Sequence, residues 1–379
     1  MTFDKLPGQE NIKTHLKKGI ENGRIPHAQI FSGNEGSGTL IAAISYANEL
    51  LQSKSSDAVG SALKVSKLAH PDLHFVFPVS TTDKVKRHPI SGHFMEEWRT
   101  FVLNQNFGDY YDWLKHLGVD KKQAQIGVDE AEDLLKKINL KPYEGGYKIV
   151  IIWQADRLNS SASNKLLKLI EEPPKDTVFL LITSNYENII NTIQSRCQLI
   201  EFPRIDTSSL SAYLKQIHPD KTESEINLAI NQSEGNLALA LKNLVNSEGQ
   251  NQFEQWFITW IRAAFKAKGD ASVIEKLIDW SNEIASVGRE NQKQFLNYCI
   301  SFFRQALLVN YGVSEIGHLT TKTPGFDISK FAPYIHGSNI NAIVQELNEA
   351  SYHIERNGNA KLILLDCSIK LTRLLHQKE

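Results

Sequence analysis

Cysteine is scarce in this chain of 379 residues: only Cys197, Cys299 and Cys367 are present. Three thiols, odd in number and far apart, argue against the disulfide framework of a small secreted domain and make the cytoplasm the natural setting. An excess of one charge sign is also lacking. Lysine and arginine number 42 against 43 acidic residues, a net charge of −1. The global charge therefore gives no sign of a nucleic-acid binder or a membrane-surface protein, and only local basic patches remain open. No apolar run approaches the roughly 20 residues of a membrane helix. The first seven residues have no apolar core of a signal peptide. No internal repeat or low-complexity segment is visible. What is present is ordinary for a globular chain, with 41% hydrophobic and 22% charged residues. The length is too great for one core and predicts two or three domains.

The most informative stretch runs from Gly145 to Arg204. It holds three short β-branched runs, Lys148–Trp153, Thr177–Thr183 and Gln198–Phe202, each long enough for a buried strand and too short for a core helix. Between the first two, Leu166, Leu167 and Ile170 stand at helical spacing until Pro173-Pro174 stops the helix. Strand, helix, strand implies a right-handed crossover and a parallel sheet buried on both faces. Upstream, a short strand at 28–31 runs into Gly33-Asn-Glu-Gly36-Ser-Gly38-Thr39-Leu40 and a helix through Leu51. Glycines at this spacing between strand and helix suit a phosphate-binding loop. Such a loop also needs a lysine for the phosphates and a hydroxyl for magnesium. Thr39 and Leu40 occupy those two positions, so a charge-assisted contact and a metal ligand are both missing.

The run Asn164-Lys-Leu-Leu-Lys-Leu-Ile-Glu-Glu-Pro-Pro, the strand ending in Thr183-Ser184-Asn185 and the triplet Ser195-Arg196-Cys197 together resemble the clamp-loader branch of the AAA+ ATPases. The resemblance is strong over 26–50 and 126–205, moderate at the C-terminus and poor over 79–125. It implies an α/β AAA+ core over 1–204, with a parallel sheet and helices on both faces. It further implies a small helical lid over 205–250 and an all-helical collar domain over 251–379. In that family an Asp-Glu pair ends the strand that corresponds to Lys148–Trp153, holding magnesium and orienting water. Here Trp153 and Gln154 stand there, and Ala238 stands where active members place an arginine that senses the γ-phosphate. The resemblance thus implies a subunit without its own ATPase activity, its glycine loop (Gly33, Gly36, Gly38, Thr39) binding nucleotide weakly or not at all. Ser195-Arg196-Cys197 is intact. In the family its arginine acts in trans on a neighbour's ATP, as arginine fingers do. A surface arginine paired with a carboxylate is the plain alternative. Implied partners are the ATP-hydrolysing and delta-like subunits of a ring, and through it the sliding clamp and primed DNA. An ATP-hydrolysing subunit with an unusual loop and a purely structural adaptor are the rival readings.

Other positions carry narrower expectations. Gly8-Gln9 corresponds to a pair that borders the adenine pocket in AAA+ proteins, or is simply a turn before a surface helix with Ile12, Leu16 and Ile20 on one face. The segment 52–70 carries four zinc-binding cysteines in many clamp-loader subunits. None is present here, and His70 with His74 is too few for a site that needs about four ligands, so no metal is expected. The aromatic-rich segment 79–125, with Trp98, Phe101, Phe107, Tyr110, Tyr111 and Trp113, predicts a helical insertion packed on the sheet; a partner surface is the lesser alternative. Asp129 is the expected N-cap of the next helix, and Asp156 is expected to cap the helix after it. From Asn251 the pattern is helical and aromatic, interrupted by a loop with Gly312, Gly317, Pro324 and Gly325. One last helix is expected from about Asn341 through Asn357-Gly-Asn to Leu375.

Overall fold

A computed structural model describes residues 2–144, 146–245, 248–270, 272–313, 323 and 325–377. Gly145, and Gly317 and Pro324 of the expected loop, lie outside the described residues. The chain divides into two compact units, residues 1–119 with 124–241, and residues 120–123 with 242–379.

In chain order the first unit holds α1 (Glu10–Glu21), β1 (Ala28–Gly33), α2 (Thr39–Lys54), α3 (Ala58–Ser66), β2 (Leu73–Val76), α4 (Met95–Asn104), α5 (Tyr110–His116) and α6 (Val128–Ile138). It continues with β3 (Lys148–Trp153), α7 (Ser160–Glu171), β4 (Thr177–Thr183), α8 (Asn191–Gln194), β5 (Gln198–Phe202), α9 (Thr207–Ile217), α10 (Glu223–Ser233) and the start of α11 (Leu237–Val245). The five strands form one parallel sheet in the order β2-β3-β4-β1-β5. Every residue of β3 and β4 is buried, as continuous apolar strands between two helical layers must be. Side chains alternate between the faces. Ile30, Val150, Ile152, Phe179 and Leu181 pack with Leu134 and Ile138 of α6 and Leu166 and Ile170 of α7. On the other face Phe31 meets Tyr46 of α2, ring centroids 6.4 Å apart.

The second unit is all helical: α12 (Glu248–Ala267), α13 (Val273–Ser286), α14 (Arg289–Asn310), α15 (Ile328–Phe331), α16 (Ile340–Glu355) and α17 (Ala360–Leu374). Its core is aromatic. Trp260 stacks on Trp280 at 4.8 Å, and Trp260 Nε1 donates to Ser368 Oγ at 2.8 Å, so its one polar atom is satisfied. Cys299 and Cys367 are buried free thiols in this core, and burial raises the pKa of both.

Three local expectations are corrected. The cap of α6 is Gly127, not Asp129. Ile126 is pinned by backbone bonds to Arg157 and Asn159 (3.0 and 3.1 Å), so the chain turns into the helix early. Asp129 falls in the first turn and accepts from His88 Nδ1 at 3.0 Å if that nitrogen is protonated. Asn159, not Asp156, caps α7 by accepting from Ala162 N at 2.8 Å; Asp156 instead accepts from Thr183 Oγ1 at 2.8 Å. The single last helix is two. Asn357 adopts φ +68°, Asn359 caps α17, and Gly358 fits so tightly that a Cβ there would lie 2.8 Å from the carbonyl oxygen of His353. Asparagine and glycine at the break tolerate the conformation that ends a helix.

Candidate functional site

The glycine-rich loop sits where the sequence puts it, between the end of β1 and the start of α2. Its contacts decide what it can do. Gly36 and Gly38 have φ of +75° and +87°, and both are closely overlaid. A Cβ on Gly38 would lie 2.2 Å from Leu6 Cδ1 and 3.4 Å from Phe107 Cε1; one on Gly36 would lie 2.0 Å from Asn236 Oδ1. Leu6 comes from the turn before α1, Phe107 from the turn between α4 and α5, and Asn236 from the start of α11. Leu237 N donates to Gly36 O at 3.3 Å, while Asn236 Oδ1 accepts from Leu239 N at 3.0 Å. Phe107 is buried and meets the ring of Tyr213 in α9 edge-on at 5.8 Å.

The cleft left over the loop has a volume of about 40 Å³. That is room for a few waters, whereas ligand pockets span roughly 300–1,000 Å³. Its lining includes Thr39, Leu40, Trp153 and Gln154. The charged residues lining it are Glu35 and Asp109, both acidic, and no lysine or arginine lines it among the described residues. This is the wrong sign for a polyphosphate.

The end of β3 is filled as well. Trp153 is buried, with ring centroids 5.1 Å from Trp98 and 6.0 Å from Phe101. Trp98 in turn stacks on Phe77 at 4.2 Å and meets Trp113 edge-on at 5.3 Å. The aromatic residues of 79–125 thus form a helical layer whose core includes the position of the missing aspartate. Gln154 follows in the left-handed region at φ +57°. Gln9, also left-handed, ties the N-terminal turn to the loop: its Nε2 donates to Pro203 O at 2.7 Å and to Ser37 O at 3.3 Å.

Arg196 does not line this cleft. It follows α8 and precedes β5, with Nη1 donating to Thr192 O at 2.8 Å and Ser195 Oγ at 3.1 Å. Its Nε lies 2.6 Å from Glu171 Oε1 at the end of α7, the two side chains being 38% and 36% exposed. Burial pushes the Cys197 thiol up to about 12, so it packs as a small apolar group and is no nucleophile at neutral pH. Ala238 is buried in the first turn of α11.

Of the two histidines weighed as metal ligands, His70 pairs through Nε2 with Glu144 at 3.1 Å. His74 lines a second cleft of about 130 Å³ with Glu130 and Lys137. Burial lowers the His74 pKa to about 4 and raises that of Glu130 to about 7, backbone and hydroxyl hydrogen bonds from Ser91 opposing the latter. No group of three or more potential metal ligands occurs among the described residues.

A family model described as DNA polymerase III, delta subunit, matches residues 8–206, more than half of the chain. The chain belongs to this family. Among curated relatives, the DNA polymerase III subunit delta' of Bacillus subtilis is 27% identical over 206 residues, covering 53% of this chain and 50% of the relative. Subunit tau of the same organism is 22% identical and covers 99% of this chain and 62% of the relative. Subunit delta' of Escherichia coli is 25% identical, covering 63% and 66%. The chain thus spans about half to two thirds of these relatives. Among solved structures, a DNA polymerase III gamma subunit-related protein of Thermotoga maritima aligns over 94% of this chain and 99% of its own, with 14% identity and a TM-score of 0.38.

Sequence reasoning located the loop, the strand end and the arginine but missed that Leu6, Phe107 and Asn236 pack against the loop's glycines. The available signals were a Leu-Pro-Gly turn ahead of α1, an Asn-Phe-Gly turn inside the aromatic segment and a Gly-Asn pair before α11.

Proposed function

We propose that this chain is a delta-prime-like, non-hydrolysing subunit of the DNA polymerase III clamp loader. In this reading it is a stator in a ring with tau/gamma-like ATPase subunits and a delta-like subunit. Through that ring it helps place the sliding clamp on primed DNA in the cytoplasm. Its own chemistry is one arginine, Arg196, given to the ATP of a neighbour, with Ser195 and Cys197 shaping the turn that carries it. The observation that carries the reading is the cleft over the loop, which is small, about 40 Å³, and has no lysine or arginine among the described residues lining it. The phosphate-type loop is overlaid by Leu6, Phe107 and Asn236, lined by acidic residues and flanked by Trp153. The small cleft and its lack of a lining lysine or arginine among the described residues weigh against a tau-like ATPase role. Neither zinc nor bound nucleotide is part of the proposal.

Arg196 stands half-exposed on a weak support, since ion pairs at this exposure contribute about 0–1 kcal/mol. It can exchange Glu171 for a phosphate at little cost. The adaptor reading takes the Glu171 pair as the whole role of Arg196. The test is ATP turnover and clamp loading by the reconstituted ring carrying wild-type or Arg196→Ala chain. Slower hydrolysis at the adjacent site with normal assembly is expected. Equal turnover and equal loading would leave the adaptor reading in its place.

A further inference from the structure

Exposed apolar side chains gather at the starting edge of β2 and β3, the opposite end of the parallel sheet from the glycine loop, on two segments joined by the Lys64–Glu144 ion pair. Four large side chains stand out of the protein there: Val59 at 83% exposed, Leu63 at 56%, Leu140 at 69% and Tyr143 at 82%. Val59 and Leu63 are four residues apart on α3 and so share one face, while Ser61 and Val65 of the same helix are buried. Leu140 and Tyr143 belong to the turn between α6 and β3, which Glu144 joins to α3 through an ion pair with Lys64.

Residues 140–144 are held firmly for a segment that presents apolar groups to water. The buried carboxylate of Asp72 accepts from Tyr143 N at 2.7 Å and Glu144 N at 2.9 Å. The buried ammonium of Lys148 donates to the carbonyls of Lys137 and Ile138 at 3.0 and 3.3 Å, and to that of Leu140. Glu144 bonds His70 from the other side. A surface ordered in advance loses little entropy when it binds.

Two lysines beside these side chains carry charge that no ion pair among the described residues takes up. Lys67 continues the Val59–Leu63 row on α3's side, and Lys141 lies between Leu140 and Tyr143. Both are exposed and have no carboxylate within ion-pair distance among the described residues. The nearby acidic groups are engaged: Glu144 by Lys64 and His70, Asp176 by Lys54, and Asp57 as the cap of α3. We infer that this patch docks an acidic, amphipathic segment of a partner protein. Its apolar side chains cover Val59, Leu63, Leu140 and Tyr143, and its carboxylates meet Lys67 and Lys141. Three aliphatic groups and a single aromatic ring favour a peptide over nucleic acid, which needs a series of stacking platforms. The inference is independent of the role given to Arg196, which lies beside β5 at the other edge of the sheet.

The test places a photo-crosslinking amino acid at Leu63 or Tyr143 of the full chain in its own cell and maps the attached segment by mass spectrometry. The mapped segment is then synthesised as the probe peptide for titration against the purified chain. Both positions should reach one acidic amphipathic segment. Its affinity should fall about tenfold or more with Leu63→Asp plus Tyr143→Asp, and by a salt-dependent factor with Lys67→Glu plus Lys141→Glu. These residues are exposed, so melting temperatures should hold. Absence of a cross-link, a link to nucleic acid, to a second copy of this chain or to a neutral or basic segment, or affinity indifferent to both double variants would overturn the inference.

Discussion

Restoring the missing lysine and hydroxyl should not restore nucleotide binding. In the variant Thr39→Lys with Leu40→Thr the loop regains the groups that grip phosphates and magnesium. Yet Phe107 still lines the cleft, which offers only about 40 Å³. The cleft opens only when the filling is cut. Phe107→Ala should cost about 3–5 kcal/mol, because the ring is buried and packed edge-on against Tyr213. At roughly 2–4 °C per kcal/mol for a unit of this size, the melting temperature should fall by at least about 6 °C. Titration of a fluorescent ATP analogue with magnesium reads the outcome. The loop variant alone should show no saturation up to millimolar analogue, and its combination with Phe107→Ala should bind. Micromolar binding by the loop variant with Phe107 in place would refute the argument that packing, and not only the lost lysine, closes the site.

Arg196→Lys should rescue clamp-stimulated turnover poorly relative to Arg196→Ala, since an ammonium lacks the planar fork that spans phosphate oxygens; single-turnover hydrolysis by the ring measures this. Glu130 holds its proton more tightly in the folded than in the unfolded chain. Its contribution is therefore fully present below pH 4.5 and is lost as pH rises to about 7. His74 acts with the opposite sign, costing stability as pH falls from 6.5 toward about 4. The difference in urea stability between Glu130→Gln and wild type should accordingly grow in the variant's favour between pH 4.5 and 7 and stay flat above, and a flat difference throughout would contradict the burial argument. Gly358→Ala should destabilise the second unit by about 1–3 kcal/mol through the clash with His353 O and Ile363, while Asn357→Gly, which suits φ +68°, should not; thermal melts of both variants decide it.

Elements dictated by local pattern were legible. The runs that became β3, β4 and β5 read as strands because each is a short β-branched stretch between turn residues. The helix between β3 and β4 ends just before Pro173 as steric exclusion requires. What failed depended on distant partners. Asp129 is a better cap than Gly127 by propensity, but Ile126 is bound to 157–159 and sets where α6 begins. The break at Asn357 was hidden because the apolar spacing on either side is helical, and only the left-handed residue separates the two segments. The packing against the loop's glycines was least visible. Leu6, Phe107 and Asn236 are separated by some hundred residues or more from one another, and the turn signals around each mark a bend without naming Gly38 or Gly36 as its neighbour.

Lys148 opens β3, yet its ammonium donates to the last carbonyls of α6. It therefore does the work of a C-cap from a different element. The end of α6 cannot fray without stranding a buried charge, and β3 cannot slip along β4 without pulling that charge from its carbonyls. Helix end and strand start should thus open as one cooperative step, with amide exchange at 134–140 and at 148–150 sharing a single opening free energy.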